Sequence, residues 1–265
     1  MRISNGVNKF LKFAISTAQT AGRKMAYYFR KKESVVPGAP SGIKTFYDDV
    51  ADDIIKELIE KHFPTHSYLT EETGLVDKQS DYLWIIDPLD GTSNFVNHNP
   101  FFSISIALWH KSSPLLGVIE VPILRETFVA TAGKGAFHYD GKRKKRTRVS
   151  TISSLSKSYL IFCEGGEKNK SRIVKIFRNL YPRTRELRKL GSAAIELAWV
   201  ALGRSEGYIT TQTHLWDIAA GVLFVKEAGG HLLHFDGTRY KCEEFLKSKK
   251  FDLAATNGKI KLPPL

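Results

Sequence analysis

Apolar residues recur at helical spacing through the first thirty positions. Phe10, Leu11, Ala14, Ala18, Ala21, Met25, Tyr28 and Phe29 fall on one stripe, which predicts a single amphipathic helix ending in a basic turn. The stretch Val35-Val36-Pro37-Gly38-Ala39-Pro40-Ser41-Gly42 then breaks regular structure. A second helix is expected from about Asp49 to Lys61, with Val50, Ile54, Leu58 and Ile59 facing inward and Phe63-Pro64 as its stop. After a polar loop holding Glu71 and Glu72, the pattern turns to strands. Tyr82 to Ile86 reads as a buried strand that delivers Asp87 at its C-terminal end. Further strands fit Ser103 to Leu108, Leu115 to Val121 and Thr127 to Ala132, bounded by Pro and Gly. This part predicts an antiparallel sheet with two helices against it.

From about Ser158 the rhythm changes. A strand (Tyr159 to Phe162), two helices (Ser171 to Leu180, Ser192 to Leu202), a strand (Gly207 to Thr210) and a helix (Ile218 to Ala228) follow, with Gly229-Gly230 as the expected C-cap. Strands His231 to Phe235 and Phe251 to Ala255 finish the pattern. The alternation predicts a layered α/β second half with a smaller mixed sheet, on an α+β first half. The division falls near residue 150, giving halves 1–150 and 151–265. With no repeats and no low-complexity linker, the two are expected to share one core.

Composition narrows the class. At 265 residues and 42% hydrophobic content the chain can bury a substantial core. Lys and Arg number 40 against 27 Asp and Glu, and a formal charge of +13 draws anions, whether phosphorylated metabolites, nucleic acid or membrane headgroups. Cys163 and Cys242 are too few for a disulfide framework or a Cys-based zinc site, which fits a reducing cytoplasm. Lys9, Lys12, Arg23 and Lys24 interrupt any signal-peptide-like apolar run near the N-terminus, and nothing reaches the roughly 20 apolar residues that a membrane span needs. A cytoplasmic protein is the expectation. The densest basic run, Lys142-Arg143-Lys144-Lys145-Arg146 with Arg148 behind it, follows a hairpin turn at Tyr139-Asp140-Gly141. No groove-reading motif accompanies it, so a solvated hairpin edge is the preferred reading. A non-catalytic nucleic-acid-binding protein is the alternative of another class.

The chemistry centres on Asp87-Pro88-Leu89-Asp90-Gly91-Thr92. Two carboxylates this close repel unless a cation lies between them. All-oxygen ligands suit magnesium, which relies on a few carboxylates together with substrate phosphate. Gly91 and Thr92 would offer backbone N–H groups to a phosphate oxygen. As a bare motif the segment could equally be a surface turn.

The longer segment Trp84 to Phe95 resembles the first signature of the inositol monophosphatase family, metal-dependent and usually lithium-sensitive sugar phosphatases. Leu215-Trp216-Asp217-Ile218-Ala219-Ala220-Gly221, through to Gly229-Gly230, resembles the second. Gly133 to Phe137 and Arg188 to Ala194 are also similar, so the likeness covers nearly the whole chain. It implies the layered αβαβα sandwich of the sugar phosphatases and a homodimer acting on a small phosphorylated metabolite with two or three magnesium ions. Carried over by residue, Glu71 would bind the first metal with Asp87 and the Leu89 carbonyl, and Asp87, Asp90 and Asp217 would hold the second. Asp48 would work with Thr92, and Glu71 would contribute through its metal, on the attacking water. Asp48 or Asp49 could instead cap the second helix, Asp49 being the better candidate, and Asp217 could cap the helix after it. Arg188, Ser192, Ala193 and Thr210 would lie near the leaving group.

The three-residue step from Asp87 to Asp90 separates this site from the Asp-x-Asp of haloacid dehalogenase-type phosphatases, since strand positions share a face only at even steps. His214 lies near Asp217, but a lone His beside an aromatic is read as packing locally. Thr210 stands where the inositol-specific members carry a glutamate, which leaves inositol phosphate, fructose bisphosphate, histidinol phosphate and 3′-phosphoadenosine nucleotides all open as substrates. The family's loop after the first helix often has a lysine; Pro37-Gly38-Ala39-Pro40 stands nearby here, and a third metal stays open.

Overall fold

The computed structural model describes residues 2–31, 45–141, 143–164 and 170–265. Helix α1 (Arg2–Lys31) follows the expected stripe and buries Ala14, Ala18, Ala21 and Met25, small residues that let it lie close to the sheet beneath. Phe10 and Phe13 pack around Phe63 and Trp84, with ring centroids 4.8 to 6.4 Å apart. The Trp84 indole is fully buried and donates to His66 Nδ1 at 3.1 Å, so no polar atom of that ring is stranded.

Helix α2 (Phe46–His62) begins earlier than hydropathy suggests because Thr45 caps it. The Thr45 hydroxyl accepts from Tyr47 N at 3.2 Å, while Asp48 at the third helical position accepts from Thr45 N at 2.7 Å, the reciprocal pattern of a capping box. Neither Asp48 nor Asp49 is therefore the N-cap, and Asp49 is exposed. The inward face is also rotated from the expected one. It is Asp48, Ala51, Asp52, Ile55 and Ile59, while Val50, Ile54 and Leu58 are half-buried. Hydropathy assigns aspartates to solvent, and it misplaces this face because two of them have partners inside.

The first sheet has eight strands in the order β2-β1-β3-β4-β5-β6-β7-β8, where β1 is Ser67–Thr70, β2 Gly74–Val76, β3 Tyr82–Asp90, β4 Ser103–His110, β5 Ser113–Val121, β6 Glu126–Thr131, β7 Gly135–Asp140 and β8 Arg143–Arg146. All pairs are antiparallel except β1 with β3, a correction to the purely antiparallel expectation. Strands β1 and β2 lie in the predicted polar loop, too short for alternation to show. The basic run forms the outer strand β8, its four residues all exposed, which fits an edge that charge protects from pairing. Lys142 lies outside the described residues, as does the break at residues 35–42.

The second sheet is mixed, as expected, in the order β10-β9-β11-β13-β12. Here β9 is Tyr159–Glu164, β10 Glu186–Arg188, β11 Gly207–His214, β12 His231–Leu233 and β13 Lys250–Thr256. The remaining helices are α3 (Thr92–Val96), α4 (Lys170–Leu180), α5 (Ala193–Ala201) and α6 (Leu215–Glu227). Helices α1 and α2 cover one face of the first sheet, α5 and α6 fill the space between the sheets, and α4 packs on the far side of the second sheet. The layers run α, β, α, β, α. The middle core joins Ile85, Trp109 and Phe128 of the first sheet to Tyr208 and Leu253 of the second through α5 and α6. No helix among the described residues is long and apolar enough to cross a membrane.

Helix α6 crosses β5 at Gly117, where a Cβ would lie 2.8 Å from the Ala220 carbonyl oxygen and 2.9 Å from its Cα. Backbone cannot yield as a side-chain tip can. Gly117→Val is expected to destabilise by about 1–3 kcal/mol and to lower the melting temperature by roughly 2–10 °C. An unchanged transition in scanning calorimetry would mean that α6 is not seated this closely.

Candidate metal centre and active site

Strand β3 supplies the first two carboxylates. In the ladder with β4, Asp87 pairs with Ser105 and Asp90 with Ser103, so three steps on β3 match two on β4. A bulge at Pro88-Leu89 absorbs the extra residue and returns both aspartates to one face despite their odd spacing. Proline fits there because a bulge leaves an N–H out of the ladder anyway. Asp87 is 2% exposed and Asp90 7%.

Asp90 is held by the start of α5. Its Oδ1 accepts from Ala193 N at 3.1 Å, and its Oδ2 accepts from Ala194 N at 2.9 Å, Ser103 Oγ at 3.2 Å and the Ser192 hydroxyl. A carboxylate at a helix N-terminus gains from both the free N–H groups and the dipole. Ser192 and Ala193, expected beside the leaving group, thus face Asp90. Asp87 accepts only one such bond, from Leu89 N to Oδ1 at 3.1 Å.

Asp48 and Asp217 are built alike. Each sits at the third position of its helix and gives Oδ2 to the turn before it. For Asp48 the donors are Thr45 N at 2.7 Å and Thr45 Oγ1 at 2.5 Å; for Asp217 they are Thr213 Oγ1 at 2.7 Å and His214 N at 2.8 Å. For Asp48, Oδ1 is left for the site. Asp48 Oδ1 accepts from the Thr92 hydroxyl at 2.7 Å, and that hydroxyl also lies 3.0 Å from the Leu89 carbonyl oxygen. Asp217 is not itself the N-cap of α6; His214 holds that place. The His214 ring stacks on Trp216 at 4.7 Å, the local packing expected of it.

Glu71 lies in the turn after β1, at the mouth of the site. Its N–H donates to Ile86 O at 3.3 Å. The turn is tied to α2, since Thr73 Oγ1 donates to Asp52 Oδ2 at 2.6 Å and Lys56 Nζ lies 2.8 Å from Thr73 Oγ1. One oxygen each from Glu71, Asp87 and Asp217 come within 4.8 Å of one another.

Electrostatics agree with geometry. Burial of its carboxyl and the neighbouring Asp217, Glu72, Asp48 and Asp90 push the Glu71 carboxyl up to about 8, although the residue as a whole is exposed. Burial, then Glu71, Asp90 and Asp217, raises Asp87 well above the usual carboxylate range. Burial raises Asp90 to about 6 against the pull of its hydrogen bonds, and raises Asp217 and Asp48 as well. Facing carboxylates that resist ionisation are what a hard cation relieves, and an all-oxygen donor set fits one. The cluster can hold a metal.

Several residues that shape the site went unremarked in the sequence. Glu196 is fully buried, with its carboxyl raised to about 8 by burial, and its Oε1 accepts from Leu190 N at 2.8 Å and Gly191 N at 2.9 Å. From the other side Asn94 Nδ2 donates to Leu190 O at 2.7 Å and Phe101 O at 2.6 Å. Together they fix the turn that aims α5 at Asp90. Gly91 is confined by the same packing: its φ is +92°, and a Cβ would meet Phe101 O at 2.9 Å. Thr45-x-x-Asp48 carries capping-box spacing and could have been read; Asp52, Thr73, Ser103, Thr213 and Glu196 carry no local signal. Of the remaining expected residues, Thr210 is buried in β11 just before its bulge. Arg188 is exposed at the end of β10 and paired with Glu186 at 2.5 Å, rather than with the carboxylates.

The fold and site together define a layered α/β protein with a carboxylate cluster that can hold a cation. The sequence model described as inositol monophosphatase family matches residues 7–262. The Nus factor SuhB of Pasteurella multocida is 37% identical over 238 residues, 87% of each chain. Inositol monophosphatase 1 of Solanum lycopersicum is 35% identical over 98% of this chain and 95% of its own. The solved inositol monophosphatase of Anabaena superposes with a TM-score of 0.80 at 34% identity, covering 96% of this chain and 92% of that one. The chain belongs to the inositol monophosphatase family, and that membership indicates a phosphatase.

Proposed function

We propose that this chain is a magnesium-dependent phosphomonoesterase of the cytoplasm, active as a homodimer on a small phosphorylated metabolite, with water attacking phosphorus directly. The carrying observation is the convergence of Glu71, Asp87 and Asp217 with Asp48 and Thr92 beside them. Glu71, Asp87, the Leu89 carbonyl, Asp90 and Asp217 would hold two or three ions. When bound, these supply charge neutralisation, a more acidic water and stabilisation of the departing oxygen.

The chain's own part is orientation and proton transfer. The Thr92 hydroxyl donates to Asp48, so its lone pairs are turned to accept a hydrogen bond from the attacking water. Asp48, its carboxyl raised by burial, is the more effective base for that proton. Gly91 and Thr92 would seat the phosphate through their amides; Arg188, Ser192, Ala193 and Thr210 would border the leaving group. Because Thr210 brings no carboxylate to that border, inositol phosphate ranks equally with fructose bisphosphate, histidinol phosphate and 3′-phosphoadenosine nucleotides.

The test is phosphate release by purified protein across those substrates, with magnesium or with EDTA. Release that requires magnesium is expected, with lithium inhibiting. Thr92→Val should lower turnover by on the order of 10²–10⁴-fold, the usual worth of general-base assistance, with magnesium affinity nearly unchanged. No release on any substrate would overturn the reading. A second reading, nucleic-acid contact through β8, is favoured by the exposure of Arg143 to Arg146 and by the relative named a Nus factor. Salt-dependent retention on RNA, lost on Lys144→Glu with Lys145→Glu, would support it.

A further inference from the structure

A cavity of about 440 Å³ lies on the far side of the second sheet's edge, between β12, the 234–239 turn and residues 258–265. None of the carboxylate-centre residues lines it. Its volume falls in the range of small-molecule sites. Arg239, Lys259 and Lys261 line it, and none of them forms an ion pair with a described acid. Asp236 is its one acidic side chain, and its Oδ1 is already committed to Thr238 N at 2.8 Å and Thr238 Oγ1 at 2.6 Å. Apolar Leu233 and Phe235 line it too, the Phe235 ring carrying the Arg172 guanidinium over it at 5.1 Å.

The cationic wall is built rather than loose. Asn257 is fully buried and organises the turn that carries Lys259: its Oδ1 accepts from Lys259 N at 2.9 Å and Ile260 N at 3.1 Å, while its Nδ2 donates to Ile152 O at 2.8 Å and Ser150 O at 3.2 Å. Gly258, at φ +69°, lets that turn press on the His231 ring, where a Cβ would come within 2.9 Å. His231 in turn holds the guanidinium, with Arg239 Nη2 2.9 Å from its Nε2. A buried asparagine and a left-handed glycine thus fix the backbone from which Lys259 projects, and an imidazole positions the Arg239 guanidinium, while the Lys259 and Lys261 side chains are exposed at the rim.

We propose that this cavity is a second binding site, for a small phosphorylated anion bearing a planar or apolar group, of the nucleoside monophosphate class. The phosphate meets Arg239, Lys259 and Lys261, and the base lies against Leu233 and Phe235. The site does not depend on the phosphatase reading, because it contains none of the carboxylates of that centre and needs no metal ion.

The test is isothermal titration calorimetry of the full chain with adenosine 5′-monophosphate, with magnesium and with EDTA. One binding event that persists in EDTA is expected, since without metal the carboxylate centre repels anions. Arg239→Glu with Lys259→Glu should weaken it at least about tenfold, as like charges then face the phosphate. The single exposed change Lys259→Ala, which leaves the fold least disturbed, should weaken it about two- to fivefold. Magnesium-dependent phosphate release should be retained in both, so a failure here is separable from a failure of the phosphatase reading. Inorganic phosphate alone and adenosine alone should each bind more weakly than the monophosphate. Binding that vanishes in EDTA, that survives the double charge reversal, or that inorganic phosphate matches in strength would overturn the proposal.

Discussion

Asp90→Asn and Asp87→Asn are expected to cut phosphate release alike, while only Asp90→Asn lowers metal-free stability. Both remove a carboxylate from the proposed cation centre, at an expected cost on the order of 10²–10³-fold or more in turnover. Asp90, however, is also the clamp between the sheets, accepting from Ala193 N, Ala194 N, Ser103 and Ser192. An asparagine there must turn its NH₂ toward groups that are themselves donors. The loss is estimated at about 2–4 kcal/mol from hydrogen bonds to a charged acceptor, or a melting point lower by roughly 5–15 °C. Asp87 accepts a single N–H, which the asparagine oxygen can still take, and burial with Glu71, Asp90 and Asp217 around it disfavours its anion. A neutral amide there should leave metal-free stability unchanged at acidic pH and raise it where the carboxyl must ionise. Calorimetry in EDTA reads both variants, and a metal-free Asp87→Asn chain less stable than Asp90→Asn would refute the division of labour.

The sequence made the long elements and the acidic residues legible for different reasons. Helix α1 and strands β3, β5 and β13 carry strong periodicity because each packs against one continuous core, and their bounds came out within a few residues. The inward face of α2 did not, since Asp48 and Asp52 are buried by partners forty-four and twenty-one positions away, Thr92 and Thr73. No local pattern reports a partner at that distance. The three-step spacing of Asp87 and Asp90 is another case: strand parity sets them on opposite faces, and only the β3–β4 ladder reveals the bulge that reunites them. Motif resemblance located the acids without that geometry. What it missed are the residues that hold the acids, Thr45, Ser103, Thr213 and Glu196, whose task is to satisfy the second oxygen of a carboxylate or the turn behind it.

That same crowding of acids predicts how stability should follow pH and metal. Glu71, held up to about 8, and Asp87, raised well above the usual carboxylate range by burial, keep protons in the folded chain that the unfolded chain has released. The unfolded carboxylates let go near pH 4. For a group whose folded pKa is raised, the folded state binds more protons between the two values, so stability falls as pH rises through that window. Solvent at the exposed Glu71 screens its share of this effect, so the slope rests chiefly on the buried Asp87. In EDTA the melting temperature is therefore expected to drop between about pH 5 and about pH 8. Divalent cation acts oppositely, because it binds only the deprotonated cluster, and binding to the folded state adds stability by mass action. The gap between melting temperatures with magnesium and with EDTA should be small at the acidic end and widen steadily toward pH 8, and Asp87→Asn should flatten the EDTA curve. A metal-free protein whose melting point rises over that range would show that these carboxylates do not share one enclosed field.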